Sequence, residues 1–124
     1  MFSPLRFHDR ISESQIMKRI ALCLSVALLA LPVLAEDLAV FQLVAKGGRF
    51  SPTVIEVPAG KRFKLEITNE GPGAIEFESR DLKQEKVLAP GAKSSVVINA
   101  LKPGTYKFFD EYHEATAQGT IVAK

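Results

Sequence analysis

The residues with the clearest potential for chemistry lie near the C terminus, where positions 110–114 read Asp-Glu-Tyr-His-Glu. Four of these five side chains carry a carboxylate or an imidazole, groups that bind hard or borderline cations. The run follows a predicted strand and precedes a loop, which is typical of a site carried on a loop of a rigid scaffold. Glu76 and Glu78 form a second acidic pair on one face of another predicted strand.

Each of these features also has an ordinary structural explanation. An acidic loop is usually solvated, alternating Glu residues usually mark the exposed face of a strand, and a lone histidine is more often structural than a ligand. The pattern argues against a hydrolase, because no nucleophile sits beside a base and His113 is the only histidine after residue 35. A metal site is therefore indicated by the combination of these features and not by any one of them.

The elements that would position these residues are short strands. In residues 62–68, Phe63, Leu65 and Ile67 alternate with charged side chains, the period of two that predicts a half-buried strand. Turns rich in Gly and Pro separate similar segments. The other segments with a strand pattern are 38–44, 50–57, 75–78, 95–99, 105–109 and 119–123. Seven or eight strands at regular spacing predict an all-β sandwich.

The first 35 residues have the pattern of a secretory signal peptide. A basic head at Lys18-Arg19 precedes an apolar stretch over 20–34, and the small residue Ala35 then ends the segment. Because a signal peptide begins close to its basic residues, Met17 is a candidate for the true start. We therefore expect residues 1–35 to be removed on export to the periplasm.

The expected mature domain, residues 36–124, differs in charge and in thiol content from the whole chain. Removal of 1–35 takes away four of the 16 basic and two of the 14 acidic residues, which leaves twelve of each. A neutral domain has no electrostatic footprint for nucleic acid. Cys23, the only cysteine, is also removed, so the mature domain has no disulfide and no thiolate ligand.

The C-terminal stretch 104–113, followed by 119–122, resembles the copper-loop region of cupredoxins. In that family a Gly-x-Tyr-x-aromatic strand delivers a Cys ligand, a His ligand follows three residues later, and an axial Met precedes the last strand. The corresponding positions here are Asp110, His113 and Ala117.

The rest of the domain carries the resemblance further. Asn69 ends a strand as in the family, and Glu76 falls near the position of the other His ligand. Residues 50–60 are similar to the usual opening of such domains, and the likeness spans about 38–123. It implies a cupredoxin-like Greek-key β-sandwich with a metal set of Glu76, Asp110 and His113, although three of the four family ligand positions, all except His113, carry a different residue here. The lesser candidates for metal ligands are Glu78, Glu85, Glu111 and Glu114.

These ligands imply different chemistry from that of blue copper. Without a thiolate the trigonal blue-copper set cannot form, whereas carboxylates with one imidazole suit Cu(II) in tetragonal geometry, or iron.

Five or six carboxylates converging on one end of a small sandwich also repel one another. Some of them should therefore have raised pKa values when no cation is bound.

A narrower resemblance concerns the segments 76–78, 85–91, 101–106 and 109–114. They look like the cupredoxin-like components of bacterial ferrous-iron uptake systems. The implied protein is periplasmic and binds copper, iron or both. Its implied partners are an iron permease and a second periplasmic iron- and copper-binding protein. Copper-dependent oxidation of Fe(II) before transport is compatible with that role.

Two other interpretations stay open from the residues. The protein could be a periplasmic copper chaperone or buffer without redox turnover, or an interaction module of the same fold that binds no metal, since fold does not imply function. The retention of His113 and the acidic replacements favour a metal, because a lost site would drift toward small neutral residues.

Overall fold

Most of the strands in the computed structural model are segments in which apolar and polar residues alternate. The structure describes residues 37–124. The predicted signal peptide, the Met17 start and Cys23 lie outside the described residues. The strands are β1 (Ala39–Lys46), β2 (Arg49–Ser51), β3 (Val54–Val57), β4 (Phe63–Asn69), β5 (Ile75–Ser79), β6 (Gln84–Leu88), β7 (Lys93–Ile98), β8 (Gly104–Asp110) and β9 (Gln118–Ala123). A three-residue 3-10 helix, Glu111–His113, follows β8.

These strands form two sheets. One sheet has the order β2-β1-β4-β7 and the other has the order β3-β9-β8-β5-β6. The β1–β4 and β3–β9 pairs are parallel, and the other pairs are antiparallel. The predicted all-β sandwich is therefore confirmed. No helix among the described residues has the length and apolarity needed to cross a membrane.

The strand count is nine rather than seven or eight, for two reasons. The segment 50–57 divides into β2 and β3, which join different sheets. Pro52 lies between them and has no N–H to donate to a ladder, so a continuous strand is disfavoured there. The second reason is β6, whose residues are mostly exposed at a sheet edge, so it lacks the alternation that reveals a half-buried strand.

The core lies between the two sheets and includes an aromatic cluster. Phe50 packs edge-on against Phe108 and Phe77, with ring centroids 5.3 and 6.4 Å away. Gly119 on β9 allows the Phe108 ring to lie close to the neighbouring backbone. A Cβ atom at Gly119 would lie 2.6 Å from Phe108 Cε2 and 2.9 Å from the carbonyl oxygen of Thr53.

Strand register decides which way the candidate ligands face. Phe77 on β5 is opposite Asp110 on β8, and both side chains are buried between the sheets. Since successive side chains point to opposite faces, Glu76 and Glu78 project from the outer face of the five-stranded sheet. The neighbouring pair Glu78 and Phe109 has the same outward orientation. The predicted acidic face of this strand is therefore present.

Candidate metal site

The candidate ligands form two adjacent groups at the end of β8. One is the Asp110–His113 pair, which begins between the sheets and reaches the surface. The other is a set of carboxylates on Glu76, Glu78 and Glu111, which we call the outer cluster. The 3-10 helix Glu111–His113 contributes one residue to each group.

Asp110 is the most buried of the candidate ligands, with only 1% of its side chain exposed. Its Oδ1 atom accepts hydrogen bonds from the backbone N–H of Glu76, at 2.9 Å, and from the backbone N–H of Tyr112, at 3.0 Å. The second bond makes Asp110 the N-cap of the 3-10 helix. Its Oδ2 atom lies 2.7 Å from His113 Nδ1. The carboxylate therefore joins β5, β8 and the helix.

The imidazole of His113 is held on two sides and has 37% of its side chain exposed. Asp110 contacts Nδ1, and the turn between β1 and β2 covers the Cδ2 edge. A Cβ atom at Gly48 would lie 3.1 Å from Cδ2. The Thr116 hydroxyl fastens this turn by donating to the Gly48 carbonyl at 2.6 Å. Within residues 37–124, Nε2 makes no hydrogen bond.

The outer cluster brings three carboxylates to one place. Glu76, Glu78 and Glu111 each offer an oxygen atom, and these atoms lie within 4.8 Å of one another. Glu76 is 8% exposed. A fourth carboxylate approaches from β6, where Glu85 lies directly opposite Glu78. Like charges in directly opposed positions destabilise a sheet, so a cation or a proton bound here would relieve the repulsion.

The crowding raises the pKa of two members of the cluster above the ordinary value of 4.5. For Glu76 the largest cause is hydrogen bonding with the Glu85 carboxyl, followed by burial, whereas the Tyr112 hydroxyl lowers the pKa. For Glu111 the largest causes are hydrogen bonding with Glu78 and the charge of Glu78. The raised pKa values predicted for converging carboxylates are confirmed.

Protein cations compensate the cluster only weakly. Among the residues that the structure describes, one salt bridge reaches it, from Arg80 Nε to Glu78 Oε1 at 3.9 Å. The Arg80 side chain is 77% exposed, and its guanidinium also lies over the Phe109 ring, 5.4 Å from the centroid. Exposed pairs of this kind contribute little. Most of the negative charge is therefore available to an external cation.

The predicted ligand set is distributed between the two groups. Asp110 and His113 contact each other, and Glu76 contacts Asp110 through its backbone N–H. The Glu76 carboxylate instead belongs to the outer cluster, together with the lesser candidates Glu78 and Glu111. Whether these groups bind a metal stays a prediction.

The remaining positions lie around these groups. Glu85 contacts the cluster through Glu76, whereas Glu114 does not join the three carboxylates. Ala117, at the expected axial position, is buried. The contact of Gly48 with the imidazole was missed, because no local pattern reveals a contact between residues 65 positions apart.

Comparison with known proteins gives one family match and many structural neighbours. The family model described as a cupredoxin-like domain matches residues 19–123. An uncharacterised protein of Rickettsia prowazekii is 37% identical over 81 residues, which are 65% of each chain. The chain therefore spans about two thirds of the length of that relative.

Two of these structural neighbours are auracyanins. Auracyanin B is 17% identical, with a TM-score of 0.63 over 74% of this chain and 94% of that one. Auracyanin A of Chloroflexus aurantiacus, described as a "blue" copper protein, is also 17% identical, with a TM-score of 0.60 over 71% of this chain and all of the other. At such identities the likeness shows the fold alone.

Proposed function

The chain belongs to the cupredoxin-like domain family, and on that premise we propose that it is an exported protein that binds copper or iron and serves ferrous-iron uptake. The predicted cupredoxin-like fold is confirmed, and it relates the chain to copper proteins such as auracyanin A. The observation that carries the proposal is the outer cluster of Glu76, Glu78 and Glu111, whose oxygen atoms lie within 4.8 Å of one another with little compensation from protein cations.

A thiolate copper centre does not fit the described residues. Residues 37–124 contain no cysteine, and Asp110 stands where the family resemblance expects one. Its carboxylate already accepts hydrogen bonds from two backbone N–H groups and contacts an imidazole. We therefore derive no blue-copper chemistry for this chain.

A harder ion fits the donors that are present. The outer cluster supplies carboxylate oxygens, whereas the His113 imidazole, two residues after Glu111, is not among the donor atoms gathered within 4.8 Å. Carboxylate oxygens, alone or with an imidazole, suit Cu(II) or iron better than Cu(I), which prefers thiolate and thioether ligands. The bound ion would supply a redox-active centre. The protein would hold it on the outer face of the five-stranded sheet, where another protein can reach it.

The role in iron uptake rests on the narrower resemblance at 76–78 and 109–114. It adds an iron permease and a second periplasmic iron- and copper-binding protein as proposed partners. A site without a thiolate on the outer face of a sheet is consistent with transfer of an ion between proteins, because carboxylate ligands need not enclose the ion completely.

Metal-dependent stability tests the metal-binding part of this proposal. The purified protein would be unfolded by heat without metal and with Cu(II), Fe(II), Zn(II) or Ca(II) added singly. An ion at about 100 times its dissociation constant stabilises the folded state by roughly 2.7 kcal/mol. Because each kcal/mol moves the midpoint of a small domain by about 4–8 °C, we expect copper or iron to raise it by more than about ten degrees.

Two variants locate the effect. Combined Glu76→Gln, Glu78→Gln and Glu111→Gln substitutions should abolish the ion-induced rise. Glu56→Gln is the matched control, since Glu56 is an exposed carboxylate on β3 of the same sheet, paired with Lys124 at 3.0 Å. No rise with any ion, or an undiminished rise in the triple variant, would contradict the proposal.

The transport role needs a cellular measurement. Deletion of the gene should reduce uptake of radiolabelled Fe(II) by iron-limited cells, and the wild-type gene should restore it. The triple variant should not restore it. Normal uptake by the deletion strain would contradict the iron-transport part and leave metal binding to be judged by the unfolding experiment.

A further inference from the structure

The Asp110–His113 pair assigns different tasks to its two residues. We infer that Asp110 is a positioning residue that holds His113 with the proton on Nδ1, so that Nε2 is the nitrogen presented to a metal ion. The inference deepens the proposed function and rests on it for the presence of an ion. The tautomer of His113, by contrast, is a property of the metal-free protein.

The hydrogen bonds of Asp110 leave it poorly suited to be a ligand. Both oxygen atoms are engaged, Oδ1 by two backbone N–H groups and Oδ2 by the imidazole, and the side chain is 1% exposed. A metal bound to Oδ1 would compete with the N–H groups of Glu76 and Tyr112. A buried N–H without a partner is costly, so the fold favours the existing bonds.

The same geometry sets the tautomer of His113. An ionised carboxylate only accepts hydrogen bonds, so Nδ1 must donate across the 2.7 Å contact with Asp110 Oδ2. In the neutral imidazole Nε2 then carries the lone pair. An outer carboxylate of this kind commonly fixes the tautomer and the orientation of a ligating histidine.

Packing limits the other orientations of the ring. Gly48 lies against the Cδ2 edge, and the hydrogen bond from Thr116 to Gly48 holds that turn in place. A rotated ring would place another edge against the turn and lose the Asp110 contact. By capping the helix Glu111–His113, Asp110 also positions Glu111, which belongs to the outer cluster.

Nitrogen-15 NMR of the imidazole tests the assignment. At pH 8 without metal, we expect the His113 spectrum to show a protonated Nδ1 and an unprotonated Nε2. Added Zn(II), a diamagnetic probe, should shift the Nε2 resonance while Nδ1 keeps its proton. A wild-type spectrum with the proton on Nε2 would overturn the inference, as would loss of the Nδ1 proton when Zn(II) binds.

Asp110→Asn changes the tautomer with little change in shape. The Asn oxygen can still accept the two backbone N–H groups, whereas its amide nitrogen can only donate to Nδ1. The proton should therefore move to Nε2, and the affinity for Zn(II) should fall roughly 10- to 100-fold, as is typical when an outer-shell partner is lost. Unchanged affinity together with a changed tautomer would show that Nε2 is not a ligand.

Asp81→Asn is the matched control. Asp81 also accepts a backbone hydrogen bond, from the Lys107 N–H at 2.8 Å, but lies outside both groups of ligands. The Asp81→Asn variant should have the same His113 nitrogen-15 spectrum and the same affinity for Zn(II) as wild type. If wild type binds no Zn(II), Cu(II) or Fe(II), the proposed function and the ligand role of Nε2 both fail. The metal-free spectrum still decides whether Asp110 positions the ring, even if Asp110→Asn does not fold.

Discussion

Each carboxylate of the outer cluster destabilises the metal-free protein by repelling its neighbours, whereas it stabilises the metal-bound protein by attracting the cation. Glu111 has a raised pKa because Glu78 lies next to it, and Glu76 has a raised pKa because of Glu85 and burial. When all are ionised without a cation, their repulsion opposes folding. When a cation is bound, the same charges attract it.

Substitution of one carboxylate should therefore stabilise the metal-free protein. The folded protein binds the Glu111 proton more tightly than the unfolded chain does, since the pKa is raised from 4.5. That contribution to stability is complete below pH 4.5 and is lost as the pH rises through the raised value. We expect Glu111→Gln to raise the unfolding temperature at pH 7.5, and the gain to shrink toward pH 4.

Thermal unfolding between pH 4 and pH 8, in chelator, measures this effect. Glu56→Gln serves as the control, because its carboxylate is paired with Lys124 and lies outside the outer cluster. A Glu111→Gln gain that is absent, or that is the same at both ends of the pH range, would show that repulsion with Glu78 does not govern the metal-free state.

Some strands could be predicted from the sequence and others could not. The strand β4 was evident because Phe63, Leu65 and Ile67 are all buried on one face. At the edge of a sheet the same reasoning failed for β6, where exposure on both faces removes the alternation. The closeness of Asp110 and His113 was within reach of sequence because the two residues are only three positions apart in the chain. The contact between Gly48 and His113 depends on packing of the two sheets, which no local pattern contains.

The strands β8 and β9 pack closely at Gly119, where there is no room for a side chain. In Gly119→Ala the new methyl group would lie 2.6 Å from Phe108 Cε2 and 2.9 Å from the Thr53 carbonyl oxygen. Backbone and a buried ring cannot move aside freely, so overpacking should cost about 1–3 kcal/mol or slightly more. Denaturant unfolding of the metal-free protein measures this cost.

A second glycine offers a matched control for this effect. Gly104 begins β8, and a Cβ atom there would meet nothing closer than 3.8 Å, on the Tyr106 ring. Gly104→Ala should therefore change the free energy of unfolding by less than about 0.5 kcal/mol, the usual range for unstrained surface positions. Equal losses in the two variants would mean that the Phe108 contact does not limit the packing of β9.

At the scale of the whole molecule, the sandwich explains why an acidic site can exist on so small a domain. The core of buried aromatic and aliphatic side chains lies between the sheets, whereas the outer cluster lies on the outer face of one sheet. The sheet therefore lies between the mutually repelling carboxylates and the apolar core. The residue types of the site were predictable from the sequence. Their division into two groups was not, because it depends on the register of β5 with β8.

Export would change the charge of the whole molecule, which gives the last prediction. The full chain has a formal charge of +2 and a sequence pI of about 8.8, whereas residues 36–124 carry twelve basic and twelve acidic residues. We expect the protein recovered from the periplasm of an expressing bacterium to begin at Glu36 and to focus well below pH 8.8. Intact mass and isoelectric focusing measure both properties. Ala35→Phe is the control, because signal peptidases need a small residue before the cleaved bond. A periplasmic product that retains residues 17–35 would show that the predicted cleavage is wrong.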